Sequence, residues 1–313
     1  MENRKKSVIL NSNCKGGKGL EYWTKVYPSL EKLYGPFDVH VSCDKRKSQN
    51  IIKKLIEQGE RTFVSAGGDG CMNLLINSII AHKKQTPLSE FTIGAVGLGS
   101  SNDYHKPFTE KVQNIPVRLN DDNPVLRDVG EIVYSNGSSE HKRTYFLISS
   151  STGIVAEGNE NFNRGGAILS FLKKTSTDLA IIWAFFQTLR KFENVPFEVK
   201  LDDEDVFNFY TSYLAVSKTQ YISGMFHFDE DIQRDDGKFM LKILHDYTKM
   251  DLIKSLFSLS MGNERGLHDI FSRSVKALEV SSVVPFTLEC DGETLTARRV
   301  KFQIYEERIR ECT

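Results

Sequence analysis

The chain has 313 residues, 40 per cent of them apolar and 26 per cent charged, with 41 lysines and arginines balanced by 41 aspartates and glutamates. That length favours two domains with a substantial core, and the composition excludes a disordered or fibrous polymer. The neutral balance gives no sign of a nucleic-acid partner, and Cys14, Cys43, Cys71, Cys290 and Cys312, odd in number and without Cys-x-x-Cys spacing, indicate neither a disulfide framework nor a zinc site and suit a reducing, cytoplasmic setting.

Residues 7–11 are an apolar run too short for a signal peptide and read as a first buried strand. Leu20, Trp23, Tyr27, Leu30 and Tyr34 recur at near-helical spacing, residues 38–42 read as a second strand, and Ile51, Ile52, Leu55 and Ile56 mark a second helix. A third strand ends at Ala66. Met72, Leu75, Ile76 and Ile79 follow at i, i+3, i+4 and i+7, and residues 91–96 give a fourth strand. This alternation predicts a parallel sheet with helices on both faces, which binds ligands beyond the carboxyl ends of its strands. Asn11, Ser42, the turn at 67–70 and residues 97–103 all fall at such ends.

After about residue 127 the texture changes. Residues 131–134, 145–150, 197–201, 213–216, 239–244, 277–280 and 287–290 read as strands, interrupted by helical stretches around 168–192 and 252–259. The expected architecture is an α/β domain with a parallel sheet over 1–125, to which a tail at 300–313 can return. A mostly antiparallel, β-rich domain over 126–299 follows it. The turn-rich run at 121–124, Asp-Asp-Asn-Pro, marks the expected boundary.

Residues 63–73, Phe-Val-Ser-Ala-Gly-Gly-Asp-Gly-Cys-Met-Asn, run from an apolar strand through Gly67, Gly68 and Gly70 into a helix. Glycines there permit positive φ and close approach of a bulky anion, while the first helical turn offers N–H groups to phosphate oxygens. Asp69 is an acid beside that phosphate site, an arrangement that suggests Mg²⁺ and a nucleotide. The alternative is a plain strand-to-helix turn using Gly and Asp for their dihedral tolerance. Residues 94–103 repeat the logic: a strand empties into a glycine-containing turn where Ser100 and Ser101 can bond phosphate or ribose oxygens, Asn102 offers both donor and acceptor, and Asp103 adds a second carboxylate. There the alternative is a helix N-cap at Ser101 or Asn102.

With Gly67-Gly68-Asp69-Gly70-Cys71 followed about thirty residues later by Gly99-Ser100-Ser101-Asn102-Asp103, the chain resembles the diacylglycerol kinase catalytic-domain family. That family includes bacterial lipid kinases and the sphingosine and ceramide kinases, and its pattern is Gly-Gly-Asp-Gly-Thr and then Gly-Thr-x-Asn-Asp. Asp128-Val129-Gly130, Ser223-Gly224-Met225, Asp235-Asp236-Gly237 and Asp291-Gly292-Glu293 carry the resemblance over nearly the whole chain. Two departures stand out. Cys71 replaces a threonine, and the first loop keeps Asn11 but lacks the family's Asn-Pro-x-Ser-Gly.

The resemblance implies an ATP- and Mg²⁺-dependent kinase acting on a lipid hydroxyl, with a diacylglycerol-like acceptor first. It implies nucleotide contacts from Asn11, Lys15, Ser42, Gly67, Gly68, Asp69, Gly70, Asn73, Ser100 and Asn102, although Lys15 and Lys18 read equally well as solvated lysines. Asp69, Asp103 and Asp128 would hold Mg²⁺ or its waters, and Asp69 and Glu293 would be catalytic, Glu293 accepting the hydroxyl proton. A free glutamate, with a pKa of about 4.3, is a feeble base at neutral pH unless its site raises that value. Taken alone, Asp291-Gly292-Glu293 is a hairpin turn.

Asp236, with main-chain carbonyls of Gln233 and Lys238, would hold a second, structural metal by the same resemblance; the bland reading of the acidic run 229–236 is a solvated loop. NAD kinase, whose family also uses Gly-Gly-Asp-Gly but has Asn-Glu in place of Asn102-Asp103, is the enzyme alternative. A catalytically weak nucleotide-binding regulator of the same fold is the other. The aromatic stretch at 179–186, with Trp183, Phe185 and Phe186, reads as core packing, with peripheral membrane contact as the alternative.

Overall fold

The computed structural model describes residues 5–166, 168–169, 171–172, 177–202, 206–222, 224, 226–263 and 267–313. The chain divides into two compact units, Met1–Val129 with Glu306–Thr313, and Gly130–Tyr305. In the first unit, strands β1 (Lys6–Asn11), β2 (Phe37–Ser42), β3 (Thr62–Gly67) and β4 (Thr92–Gly97) alternate with helices α1 (Gly19–Tyr34), α2 (Lys45–Glu57) and α3 (Asp69–His82). The strands pair in parallel in the order β2-β1-β3-β4. From β1 the chain builds outward to β2 on one side and to β3 and β4 on the other, so the topological switch point lies between β1 and β3.

Local chemistry explains these elements. Trp23, Val26 and Leu30 form the buried stripe of α1 and pack with Val8, Leu10, Phe37 and Val64, each large apolar side chain contributing about 1.5–3 kcal/mol on burial. Leu20, which falls in the same sequence stripe, is exposed. Asp44 caps α2, its carboxylate accepting the Lys47 N–H at 2.8 Å.

The first unit extends past the expected turn at 121–124 because Val125–Arg127 is an edge strand of its sheet. That strand pairs antiparallel with Ile309–Glu311, which in turn runs parallel to β4. Arg127 and Glu311 form a buried pair at 2.6 Å, with the guanidinium 4.8 Å from the centre of the Tyr104 ring. Breaking such a buried pair by removing one partner ordinarily costs about 3–5 kcal/mol, so this contact anchors the returning segment. The return begins at Glu306, not near residue 300, since the strand Glu293–Ile304 belongs to the second unit.

The second unit is built on a nine-stranded antiparallel sheet. Its order is Ile270–Val275, Phe239–His245, Val206–Ser217, Ser149–Gly153, Ala277–Cys290, Glu293–Ile304, Gly130–Ser135 and Lys142–Phe146, and Val195–Leu201 pairs with both Val206–Ser217 and Ala277–Cys290. Phe146, Phe197, Leu214, Leu241 and Phe302 lie in its core. Residues 145–150, expected as one strand, are split between Lys142–Phe146 and Ser149–Gly153. Residues 277–280 and 287–290, expected as two, belong to one strand whose register shifts between Ser281 and Phe286.

The helix Thr177–Lys191 departs from the core reading of its aromatic residues. Ala180, Ala184 and Leu189 are buried, whereas Leu179, Trp183 and Phe186 are 53, 38 and 40 per cent exposed. Small residues allow close packing on the inner face, which turns the bulky ones outward. Of the aromatic residues Trp183, Phe185 and Phe186, Phe185 is partly buried against the apolar cluster that also holds Leu189. Among the described residues, no helix is long and apolar enough to cross a membrane.

Candidate active site

The parallel register brings the strand ends level, with Asn11 beside Ser42 and Gly67 beside Gly97. At the switch point, Asn11 Nδ2 donates to Cys71 Sγ at 3.2 Å, so the residue that replaces threonine ties the end of β1 to the opening of α3. Asn11 Oδ1 accepts the Asn13 N–H at 2.9 Å, and Ser12 N–H bonds the Ser42 carbonyl at 2.9 Å. A single distorted helical turn, Cys14–Gly17, follows, in which Lys15 has φ 49°. Lys15 is exposed, its Nζ 4.8 Å from the centre of the Tyr22 ring.

Gly67 and Gly68 serve close approach, not the positive φ expected of them. Gly68 is extended, at φ −101° and ψ −171°, and a Cβ on Gly67 would stand 2.4 Å from Cys71 Sγ. The turn is therefore tight enough to aim the first N–H groups of α3 over the end of β3, where an anion finds oriented donors and the positive end of the helix dipole.

Asp69 joins the two glycine turns. Its Oδ2 accepts the Asp103 N–H and its Oδ1 the Tyr104 N–H, each at 3.1 Å, and the Leu98 N–H bonds the Gly67 carbonyl at 2.9 Å. Asn102 sits in the left-handed region at φ 52°, where its short polar side chain can bond locally. Its Oδ1 accepts the Gly99 N–H at 3.0 Å, and its Nδ2 donates to the carbonyls of Gly97 and Gly99 at 3.3 and 3.1 Å. Asn102 thus builds the loop with the very groups expected to read the nucleotide.

Two other expected contacts are similarly engaged. Ser42 is buried with its hydroxyl donating to the Asp44 carbonyl at 2.9 Å, and Asn73 is buried with its main-chain and side-chain oxygens accepting from Asn77 Nδ2 at 2.8 and 3.3 Å. Ser100 is exposed at the tip of the second turn.

The expected Mg²⁺ ligands are partly opposed by cations. Asp103 is buried with Oδ1 2.7 Å from Lys106 Nζ, and Asp128 is fully buried with Oδ1 2.9 Å from Arg308 Nε. Asp69 and Asp103 are brought together at the glycine turns; Asp128 anchors the returning segment. Among the described residues, no group of three or more His, Cys, Asp or Glu is gathered to hold a metal. The Asp103–Lys106 pair was readable from its i, i+3 spacing, whereas Arg308 gave no local signal.

In the second unit, Asp291 and Gly292 form a two-residue hairpin turn with φ 45° and 91°, as a type I′ connection demands. The buried Asp291 carboxylate accepts three main-chain N–H groups, from Leu147 at 2.8 Å and from Ile148 and Ser149 at 3.0 Å. These bonds take the donors that a continuous strand through 145–150 would use, which is why that strand divides. Glu289 is also buried, accepting from the Ser151 hydroxyl at 3.0 Å and from the Gly292 N–H. Glu293, directly opposite Cys290, starts the next strand on this fixed turn.

Two of the three positions expected to hold a second metal, Asp236 and Lys238, flank an ammonium group instead. Lys218 Nζ is fully buried and lies 2.7 Å from Asp236 Oδ1 and 2.7 Å from the Lys238 carbonyl oxygen. Burial pushes the Asp236 carboxyl up, but the bonds from Lys218 and from the Lys238 N–H outweigh it and hold the group below the ordinary aspartate range. The Gln233 side chain donates to Asp231 at 2.8 Å. A divalent ion does not fit beside a buried ammonium that already holds the same oxygens. Ser223 and Met225, of the glycine-centred motif, lie outside the described residues.

A family model described as the diacylglycerol kinase catalytic domain matches residues 5–122, and one described as the YegS C-terminal NAD kinase beta sandwich-like domain matches residues 151–310. A diacylglycerol kinase of Staphylococcus saprophyticus subsp. saprophyticus is 24% identical over 248 residues, covering 76% of this chain and 72% of the relative. Among solved structures, a diacylglycerol kinase from Bacillus anthracis str. Sterne aligns with a TM-score of 0.66 at 14% identity, over 98% of this chain and 96% of that one. A yeast NADH kinase aligns at 0.50 and 10% identity, over 100% and 84%, so the fold extends to that group as well. By its first matched segment the chain belongs to the diacylglycerol kinase catalytic-domain family, and its second segment belongs to the family of the YegS C-terminal NAD kinase beta sandwich-like domain.

Proposed function

We propose that this protein is an ATP-dependent lipid kinase that transfers the γ-phosphoryl group to the hydroxyl of a diacylglycerol-like acceptor. The observation that carries the reading is the stitching of two glycine turns by Asp69 at the switch point of a parallel sheet. The first N–H groups of α3 would receive phosphate oxygens, with Lys15 and Ser100 exposed to add a charge and a hydroxyl. Asp69 would orient the phosphates through Mg²⁺ carried in with the nucleotide, since Mg²⁺ takes one or two protein carboxylates alongside phosphates. When bound, the metal neutralises charge that develops on the transferred group. Asp103 and Asp128, held by Lys106 and Arg308, would supply negative charge near it. Glu293 would take the proton from the acceptor hydroxyl, and the exposed Leu179, Trp183 and Phe186 would support peripheral contact with the membrane that supplies the lipid.

The test is transfer from radiolabelled ATP to diacylglycerol in mixed micelles, with NAD⁺ as a competing acceptor. Asp69→Asn and Glu293→Gln are expected to lower lipid phosphorylation by about 100-fold or more, with nucleotide binding retained in Glu293→Gln. Equal background rates in all three proteins would favour a binding module, and phosphorylation of NAD⁺ alone would move the chain to the other branch.

A further inference from the structure

Residues 229–238, Asp-Glu-Asp-Ile-Gln-Arg-Asp-Asp-Gly-Lys, place Asp229, Glu230, Asp231, Asp235 and Asp236 in one short loop. Self-repulsion would ordinarily keep such a run solvated and loosely held. Here two ammonium groups rise from the sheet beneath it. Lys218, just beyond the strand Val206–Ser217, is fully buried and bonds Asp236 Oδ1 and the Lys238 carbonyl, both at 2.7 Å. Lys242, within Phe239–His245, is also buried; its Nζ lies 2.8 Å from Glu230 Oε1 and 4.8 Å from the centre of the Phe228 ring. Ser272 adds a hydroxyl bond to the same Glu230 oxygen at 3.1 Å.

A carboxylate oxygen and a main-chain carbonyl are the donors that a hard divalent cation selects. An ammonium bearing three N–H donors satisfies the same pair of oxygens, and its burial is tolerable only because it is paired and hydrogen-bonded. A divalent ion at this spot would meet a fully buried positive charge within bonding distance of its own ligands.

We propose that Lys218 is the built-in cation of this loop: its ammonium takes the place of a divalent metal, and together with Lys242 it holds residues 229–238 on the second sheet without any metal. The inference stands apart from the kinase reading, because it concerns the order of one loop and not turnover.

Amide hydrogen exchange on the full chain, without nucleotide, tests it. Wild-type exchange at 229–238 is expected to be the same in excess EDTA, in MgCl₂ and in CaCl₂. Lys218→Met, which keeps the apolar stem and removes the charge, is expected to speed exchange there by roughly tenfold or more, since Asp236 loses its buried partner. Asp236→Asn, at a half-exposed position, gives the same readout should Lys218→Met fail to fold. Wild-type protection that collapses in EDTA, or unchanged exchange in the folded variants, would overturn the proposal.

Discussion

Gly68 and Gly99 meet backbone to backbone: a Cβ built on Gly99 would lie 2.3 Å from the Gly68 Cα and 2.9 Å from Asn102 Oδ1. The first glycine turn can approach the second only because neither residue carries a side chain there. Gly99→Ala is therefore expected to destabilise the first unit by about 1–3 kcal/mol and to lower nucleotide turnover. Gly68→Ala, whose Cβ would come no nearer than 3.1 Å to Gly99, is expected to cost less. Urea denaturation of both variants checks the order, and equal stability of the two would contradict it.

In the second unit, the Asp291 carboxylate holds the N–H groups of Leu147, Ile148 and Ser149. Asp291→Ala leaves these buried donors without an acceptor and also removes the turn residue that presents Glu293. We expect a loss of about 2–4 kcal/mol in stability, at about 1–3 kcal/mol per unsatisfied group and with partial relaxation. Lipid phosphorylation should fall with kcat affected more than the KM for ATP. Thermal denaturation and steady-state kinetics measure the two effects separately.

Thiol chemistry should sort by burial. Burial, with a further push from Cys71, raises the Cys14 thiol to about 11, and burial raises Cys312 to about 12, while Cys43 is exposed. The thiolate is the reactive form, so at pH 8 only about one Cys14 in a thousand is ionised. Iodoacetamide at that pH is expected to modify Cys43 first. The rate at Cys14 should climb about tenfold per pH unit until its pKa is reached. Peptide mass spectrometry across roughly pH 7 to 10 reads this out, since reactivity follows the thiolate fraction; a Cys14 rate that is flat in pH would sink it.

Much of the first unit was legible in the residues. Trp23, Val26 and Leu30 declare a helix by their spacing, and Gly67-Gly68-Asp69-Gly70 announces a strand-to-helix turn, because period and turn chemistry are local properties. The limits of the second unit's strands were less legible. Whether 145–150 forms one strand or two depends on Asp291, more than 140 residues away in the chain by the separations of its hydrogen bonds. Trp183 and Phe186 misled for a related reason: hydrophobicity says that a residue tends to be buried, but which face of a helix is covered depends on what packs against it.

By itself, the order of residues determined the alternation of strands and helices, the two acid-bearing glycine turns and the family they mark, since each is written in contiguous spacing. Only the tertiary structure decided what the polar groups do there: Asn102 folds its own loop, Asp69 bonds across to the second turn, and Lys218 stands where a metal was expected. The reason is that a side chain's type sets which bonds it can make, while the partner it finds depends on which distant segment the sheet brings within hydrogen-bond reach.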